Sequence, residues 1–245
     1  MIRSVKQQYG HKLRATDGEI GHIKDFYFDD QNWAIRYLVA DTGTWLTSRQ
    51  VLISPYALAR LDTSGRVMRV ALTRKQIENS PPIESHKPVS RQYEEEYYRY
   101  YGWPYYWHGS ALWGMSGFPI LELPPKSLPN EAIDMVGPQP KREVHLRSAQ
   151  AVNGYLLRMG DETIGHICDF MMDAESWVID QLVIKTGHRL SGKEMLIETK
   201  QVDRISYDES TVFAHANAKA AGQRATNHLA PIAEADYSNQ PTRNL

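Results

Sequence analysis

Short apolar runs of three to nine residues, rich in Ile, Val, Phe, Tyr and Trp, alternate with polar turn residues over much of the chain. Their length and composition are those of β-strands. Strands are expected over residues 20–28, 33–40, 51–53, 57–61 and 67–72, separated by Asp29-Asp30-Gln31-Asn32, Asp41-Thr42-Gly43 and Asp62-Thr63-Ser64-Gly65. A second set is expected over 164–172, 177–184, 195–197, 201–205 and 211–214. The fold class this predicts is mainly β and antiparallel. A short helix over 73–80, N-capped by Thr73 and stopped by Pro81-Pro82, closes the first set, and another over 217–222, with Gly222 at its end, closes the second.

The two sets are one pattern written twice. Asp17-Gly18-Glu19-Ile20-Gly21-His22-Ile23-Lys24-Asp25-Phe26 returns 144 positions later as Asp161-Glu162-Thr163-Ile164-Gly165-His166-Ile167-Cys168-Asp169-Phe170. Trp33 answers Trp177, and Thr42-Gly43 answers Thr186-Gly187. From Gly10 to Asp62, 21 of 53 ungapped positions are identical, which implies an internal duplication. Two homologous domains are therefore expected, at 1–82 and 146–222, joined by a linker over 83–145 and followed by a loose tail over 223–245. Strict alternation fails at the same place in both copies, between Ile23 and Phe26 and between Ile167 and Phe170, which predicts a β-bulge there. Units of this size leave much of their surface exposed, so the copies are expected to pack on one another.

The linker is dense in amphipathic rings: Tyr93, Tyr97, Tyr98, Tyr100, Tyr101, Trp103, Tyr105, Tyr106, Trp107 and Trp113. A helix is expected over 90–101, with Glu94-Glu95-Glu96 supplying charge near its start and Gly102-Trp103-Pro104 ending it. Residues 114–137, rich in proline, read as an extended chain on the surface. Two readings of the aromatic stretch follow. Tyr97, Tyr98, Tyr101, Trp103 and Trp107, with Trp45 on a rim where the second copy carries Arg189, form a partner-binding face. Alternatively the rings cover exposed strand surface and hold the copies, or two subunits, together.

The other rims also diverge, Arg36-Tyr37 becoming Asp180-Gln181 and Ser54-Pro55 becoming Glu198-Thr199. Either the two ends bind different things, or each rim packs on a different part of the linker.

Charge and cysteine content narrow the function. Twenty-eight basic against 29 acidic residues give no basic field, and only Arg91 and Arg99 lie among the rings, so no nucleic-acid partner is expected. No apolar run reaches the length of a membrane span, and residues 1–8 contain no apolar core of a secretory signal. The single cysteine, Cys168, makes no disulfide within the chain, and a cytoplasmic location is expected.

His22 and His166 recur beside a glycine, but Asp25 and Asp169 lie on the opposite strand parity, and ordinary strand histidines are the better reading. Asp25, Asp29 and Asp30, with Asp169 and Asp173, read as strand and turn aspartates rather than acid–base catalysts. No phosphate loop, nucleophile elbow or paired-cysteine motif occurs. No enzyme, metal or cofactor is expected.

Gly18-Glu19-Ile20-Gly21-His22-Ile23-Lys24-Asp25-Phe26-Tyr27-Phe28-Asp29-Asp30, then Trp33 to Val39, Asp41-Thr42-Gly43, Trp45-Leu46, Val51 to Pro55 and Val70 to Thr73, closely resembles the PRC-barrel family. That family includes the cytoplasmic domain of the photosynthetic reaction-centre H subunit and the C-terminal domain of ribosome maturation factors of the RimM type. The resemblance implies two small PRC-type β-barrels in tandem. It also implies a non-catalytic interaction or assembly role with protein partners. Alternatives are an accessory protein of reaction centres or electron transfer, peripheral to a membrane complex, and a ribosome-associated factor. A homodimer is a further expectation.

Overall fold

The computed structural model describes residues 1–46, 49–58, 66–83, 89, 91–121, 146–187, 193–215 and 222–223. In chain order the elements are β1 (Ile2–Ser4), β2 (Lys12–Ala15), β3 (Gly18–Asp29), β4 (Ala34–Asp41), β5 (Gln50–Ile53), β6 (Val67–Arg69), α1 (Arg74–Glu78) and α2 (Arg91–Tyr101). The second half follows with β7 (Leu146–Ser148), α3 (Ala149–Val152), β8 (Leu156–Met159), β9 (Glu162–Asp173), β10 (Ile179–Lys185), β11 (Glu194–Glu198), β12 (Val202–Ser206), β13 (Thr211–Ala214) and β14 (Gly222–Gln223). The protein is mainly β. Its strands form two sheets, ordered β5-β4-β3-β2-β6 and β12-β13-β8-β9-β10-β11-β14, and neither ladder closes on itself among the described residues.

Each sheet is centred on a long strand that pairs antiparallel with the strand after it, β3 with β4 and β9 with β10. The hairpin turns are held by their first aspartate: the Asp29 carboxylate accepts from the Gln31 and Asn32 N–H groups, and that of Asp173 from the Ser176 N–H. Each turn ends on a tryptophan at positive φ, 53° at Trp33 and 61° at Trp177, a conformation that costs a bulky residue about 1–2 kcal/mol. Packing offsets the cost, since both indoles are buried and Trp33 stacks on Phe28.

The expected bulges are present, at Lys24 between Ile23 and Asp25 and at Cys168 between Ile167 and Asp169. Two more recur at matching positions: Ile20 and Ile164 on β3 and β9, and Arg36 and Asp180 on β4 and β10.

The halves are not separate in their hydrogen bonding. β1 pairs with β9 of the second half, and β7 pairs with β3 of the first, so each half gives one strand to the other's sheet. Across the same junction the Ile35 N–H donates to the Trp177 carbonyl and the Ile179 N–H to the Trp33 carbonyl. Phe28 and Phe170 meet at 5.7 Å, and one continuous apolar core runs through both halves.

Several expected elements differ. Ala57, expected to begin a strand, instead ends a 3-10 turn over Pro55–Ala57, because Ser54 accepts from the Tyr56 N–H and Pro55 starts the turn. The strand expected over 67–72 ends at Arg69. Gly222, expected at a helix end, instead pairs with Leu196 of β11. Residues 59–65, 122–145, 217–221 and 224–245, which carry the remainder of the expected fourth strand, the 62–65 turn, most of the extended chain, most of the last helix and the tail, lie outside the described residues.

Candidate functional site

The aromatic segment is built onto the first half by groups that the second half lacks. α2 lies along β4 and β5, where the Tyr97 hydroxyl donates to the Leu52 carbonyl at 2.9 Å and accepts from the Ser54 N–H at 3.1 Å. Below it, Glu94 is buried and accepts two hydroxyl bonds of 2.8 Å, from Tyr37 and Tyr106. Burial, and then the Glu94 charge, push the Tyr37 phenol well above its ordinary range, so it stays a donor. Glu94 does lie in the first turn of the helix, as expected, and it is also the buried polar centre of the contact.

Arg36 is the second anchor. The residue is 1% exposed, and its guanidinium pairs with Asp29 at 3.0 Å and donates to the Leu112 carbonyl at 2.7 Å. It also lies over the Tyr106 ring at 4.0 Å and the Trp113 ring at 4.9 Å. The segment reaches the other half through Trp113, whose indole N–H donates to the Ser176 carbonyl. Arg36, Tyr37 and Ser54 correspond to Asp180, Gln181 and Glu198, so the equivalent face of the second half offers no such anchors.

The six residues expected on a partner-binding face are placed differently from one another. Tyr97 and Tyr98 are fully buried and Trp103 nearly so; their rings meet one another and Tyr37 and Tyr56 rather than solvent. Tyr101 and Trp107 are half-buried against that cluster. Trp45 stands apart on a 3-10 turn, with the Arg74 guanidinium 4.5 Å above its ring.

Exposed apolar surface lies further along the segment, at Met115, Phe118, Ile120 and Leu121. Phe118, Pro119 and Ile120 line a shallow cleft of about 340 Å³ with Pro55 and Leu58 of the first half and Ala174, Glu175 and Trp177 of the second. The aromatic density of residues 93–107 hid this stretch, whose composition is less distinctive.

Asp25 and Asp169 bind across the junction. The Ser148 hydroxyl and the Gln150 N–H donate to Asp25, and the Ser4 hydroxyl and the Lys6 N–H to Asp169, at 2.5 to 3.0 Å. The aspartates thus hold a turn, and the turn belongs to the opposite half. Burial raises the Asp25 carboxyl above its ordinary range against the bonds from Ser148, Gln150 and Phe26. Asp29 goes the other way: burial raises it, but the Arg36 charge and the bonds from Asn32 and Gln31 hold it below.

The chain matches no family model, and no curated protein is significantly similar to it. His22 is exposed and His166 half-buried, each in its strand ladder. Among the described residues no group of three or more His, Cys, Asp and Glu side chains could hold a metal ion, and no helix is long and apolar enough to cross a membrane.

Proposed function

We propose that the chain is a non-catalytic interaction or assembly module made of two PRC-type barrels that arose by duplication. Recurrence of three bulges, two positive-φ tryptophans and two exchanged strands at one offset supports the duplication. The motif of residues 18–30 supports the family. The observation that carries the functional reading is the cleft at the junction, where Phe118 is 44% and Ile120 57% exposed beside Pro55, Leu58 and Trp177. Exposed apolar side chains clustered around a concavity mark a surface that another protein covers. The buried rings of α2 then have a supporting role: they fix the segment that presents the cleft.

Cross-linking in native cells, followed by mass spectrometry, tests this. Phe118→Asp and Ile120→Asp should abolish a set of protein cross-links while leaving the melting temperature unchanged. If the same partners are recovered with both variants, the cleft is not the contact.

A further inference from the structure

The grooves over Asp25 and Asp169 hold the same ligand twice. Ile2, Arg3 and Ser4 stand opposite Asp173, Met172 and Met171; Leu146, Arg147 and Ser148 stand opposite Asp29, Phe28 and Tyr27, in the identical register. In each groove the serine hydroxyl meets one carboxylate oxygen and the N–H two residues later meets the other. The residue after the serine, Val5 or Ala149, is fully buried, and a short helical turn follows. The grooves differ at their edges: Arg147 pairs with Asp30 at 2.7 Å, where the matching position is Ala174, and lies over the Tyr207 ring, whereas in the other groove the Met1 ammonium pairs with Asp173 at 2.6 Å.

We infer that each groove is a recognition site for one motif, a short strand ending in Ser, then a buried apolar residue and a helical turn whose N–H meets the aspartate. The two segments are interchangeable in the groove over Asp169, and a second copy of this chain docks there through its residues 2–8. The occupant is fixed by self-similarity. The groove over Asp25 is filled by a segment with the same recognition atoms as residues 2–8, so every contact the second groove requires is already present on another copy. Local opening of this three-residue ladder at the end of the chain uncovers the groove, after which occupancy from within or from another chain is set by effective concentration. The inference rests on the reading of the chain as an assembly module and names one partner for it.

Two measurements test it. In full-length Ser4→Asp, a second carboxylate against Asp169 empties the groove. Labelled peptides of residues 1–10 and 146–154 should then both bind, with Kd values within about tenfold of each other, and adding Asp169→Ala should abolish both. Binding of neither peptide, or of only one, overturns interchangeability.

The second measurement does not depend on that variant folding. Two full-length chains, both Cys168→Ser, carry Arg3→Cys and Met172→Cys respectively, so only exchange between molecules brings the thiols together. A disulfide-linked pair whose yield rises with protein concentration is expected, and monomers alone at every concentration overturn the docking. Neither readout involves Phe118 or Ile120, so failure here leaves the cleft reading to its own test.

Discussion

The Ser148 hydroxyl donates to the Asp25 carboxylate at 2.5 Å across 123 residues of chain, and Ser4 does the same to Asp169 at 2.5 Å. Each aspartate sits beside a bulge, at Lys24 or Cys168, and its first oxygen accepts from the next residue's own N–H. The bulge therefore aims a carboxylate out of its own strand and toward a segment from the other half. Without that segment a buried acceptor would lose its partners, so the halves are expected to fold together.

Ser4→Ala and Ser148→Ala should each cost about 1–3 kcal/mol, since each leaves a buried carboxylate oxygen short of a donor. Urea unfolding followed by tryptophan fluorescence and by circular dichroism should give coincident curves in the wild type and in both variants. Two separated transitions would mean that the halves unfold independently.

Acid should act in opposite directions through Asp25 and Asp29. Asp25 has a folded pKa raised above 3.8, so its contribution is fully present below 3.8 and is lost as pH rises through the raised value. Asp29 has a folded pKa below 3.8, so its contribution is present above 3.8 and is lost as pH falls through the depressed value. Unfolding free energies measured across the acid range should show that Asp25→Asn removes a gain on acidification, while Asp29→Asn removes a loss.

The long strands were legible because β3, β4, β9 and β10 each bury a recurring set of apolar positions, and one of the three recurring bulges, at Lys24 and Cys168, showed as a break in that alternation. Helix α2 was legible from its stop at Gly102-Trp103-Pro104 and its aromatic spacing. The exchanged strands were not. β1 and β7 are three residues long and contain one apolar residue each, Ile2 and Leu146, and they are strands only because the other half supplies the ladder. The burial of Glu94 was not legible for a related reason: its partners Tyr37 and Tyr106 lie 57 and 12 positions away. The clue to Arg36 as an anchor was divergence, a cation replaced by Asp180 within an otherwise shared strand.

Gly21→Ala and Gly165→Ala should both be strongly destabilising. A Cβ at either position would overlap the carbonyl oxygen of the neighbouring strand, Asp41 or Lys185, and Gly21 is at φ +119°. Overpacking against backbone costs about 1–3 kcal/mol or more. Gly10→Ala is the control: its φ is +76° but nothing lies within 4 Å, so only the conformational cost of about 1 kcal/mol should appear in denaturant titrations.

Trp45→Ala removes packing on the core as well as the contact with Arg74, and the contact itself should be worth about 1 kcal/mol, the scale of a partly exposed cation–π pair. A double-mutant cycle with Arg74→Ala measures it. Coupling near zero would mean that the ring is held by something other than the guanidinium.

Arg36→Ala should be the most damaging single change to the anchoring of the aromatic segment. The guanidinium satisfies buried Asp29 and the Leu112 carbonyl and lies between the Tyr106 and Trp113 rings. Removing one partner of a buried ion pair costs about 3–5 kcal/mol, because the other charge is left without compensation. Asp29→Asn in the same chain should recover part of the loss by removing that charge. The segment should also loosen before the rest of the protein does, because Arg36 is among the groups that anchor it to the first half. Hydrogen exchange can follow this through the Trp113 N–H, which donates to the Ser116 carbonyl. Faster exchange there at denaturant levels where the β9–β10 ladder stays protected is the expected result, and simultaneous loss of both would place Arg36 in the common core instead.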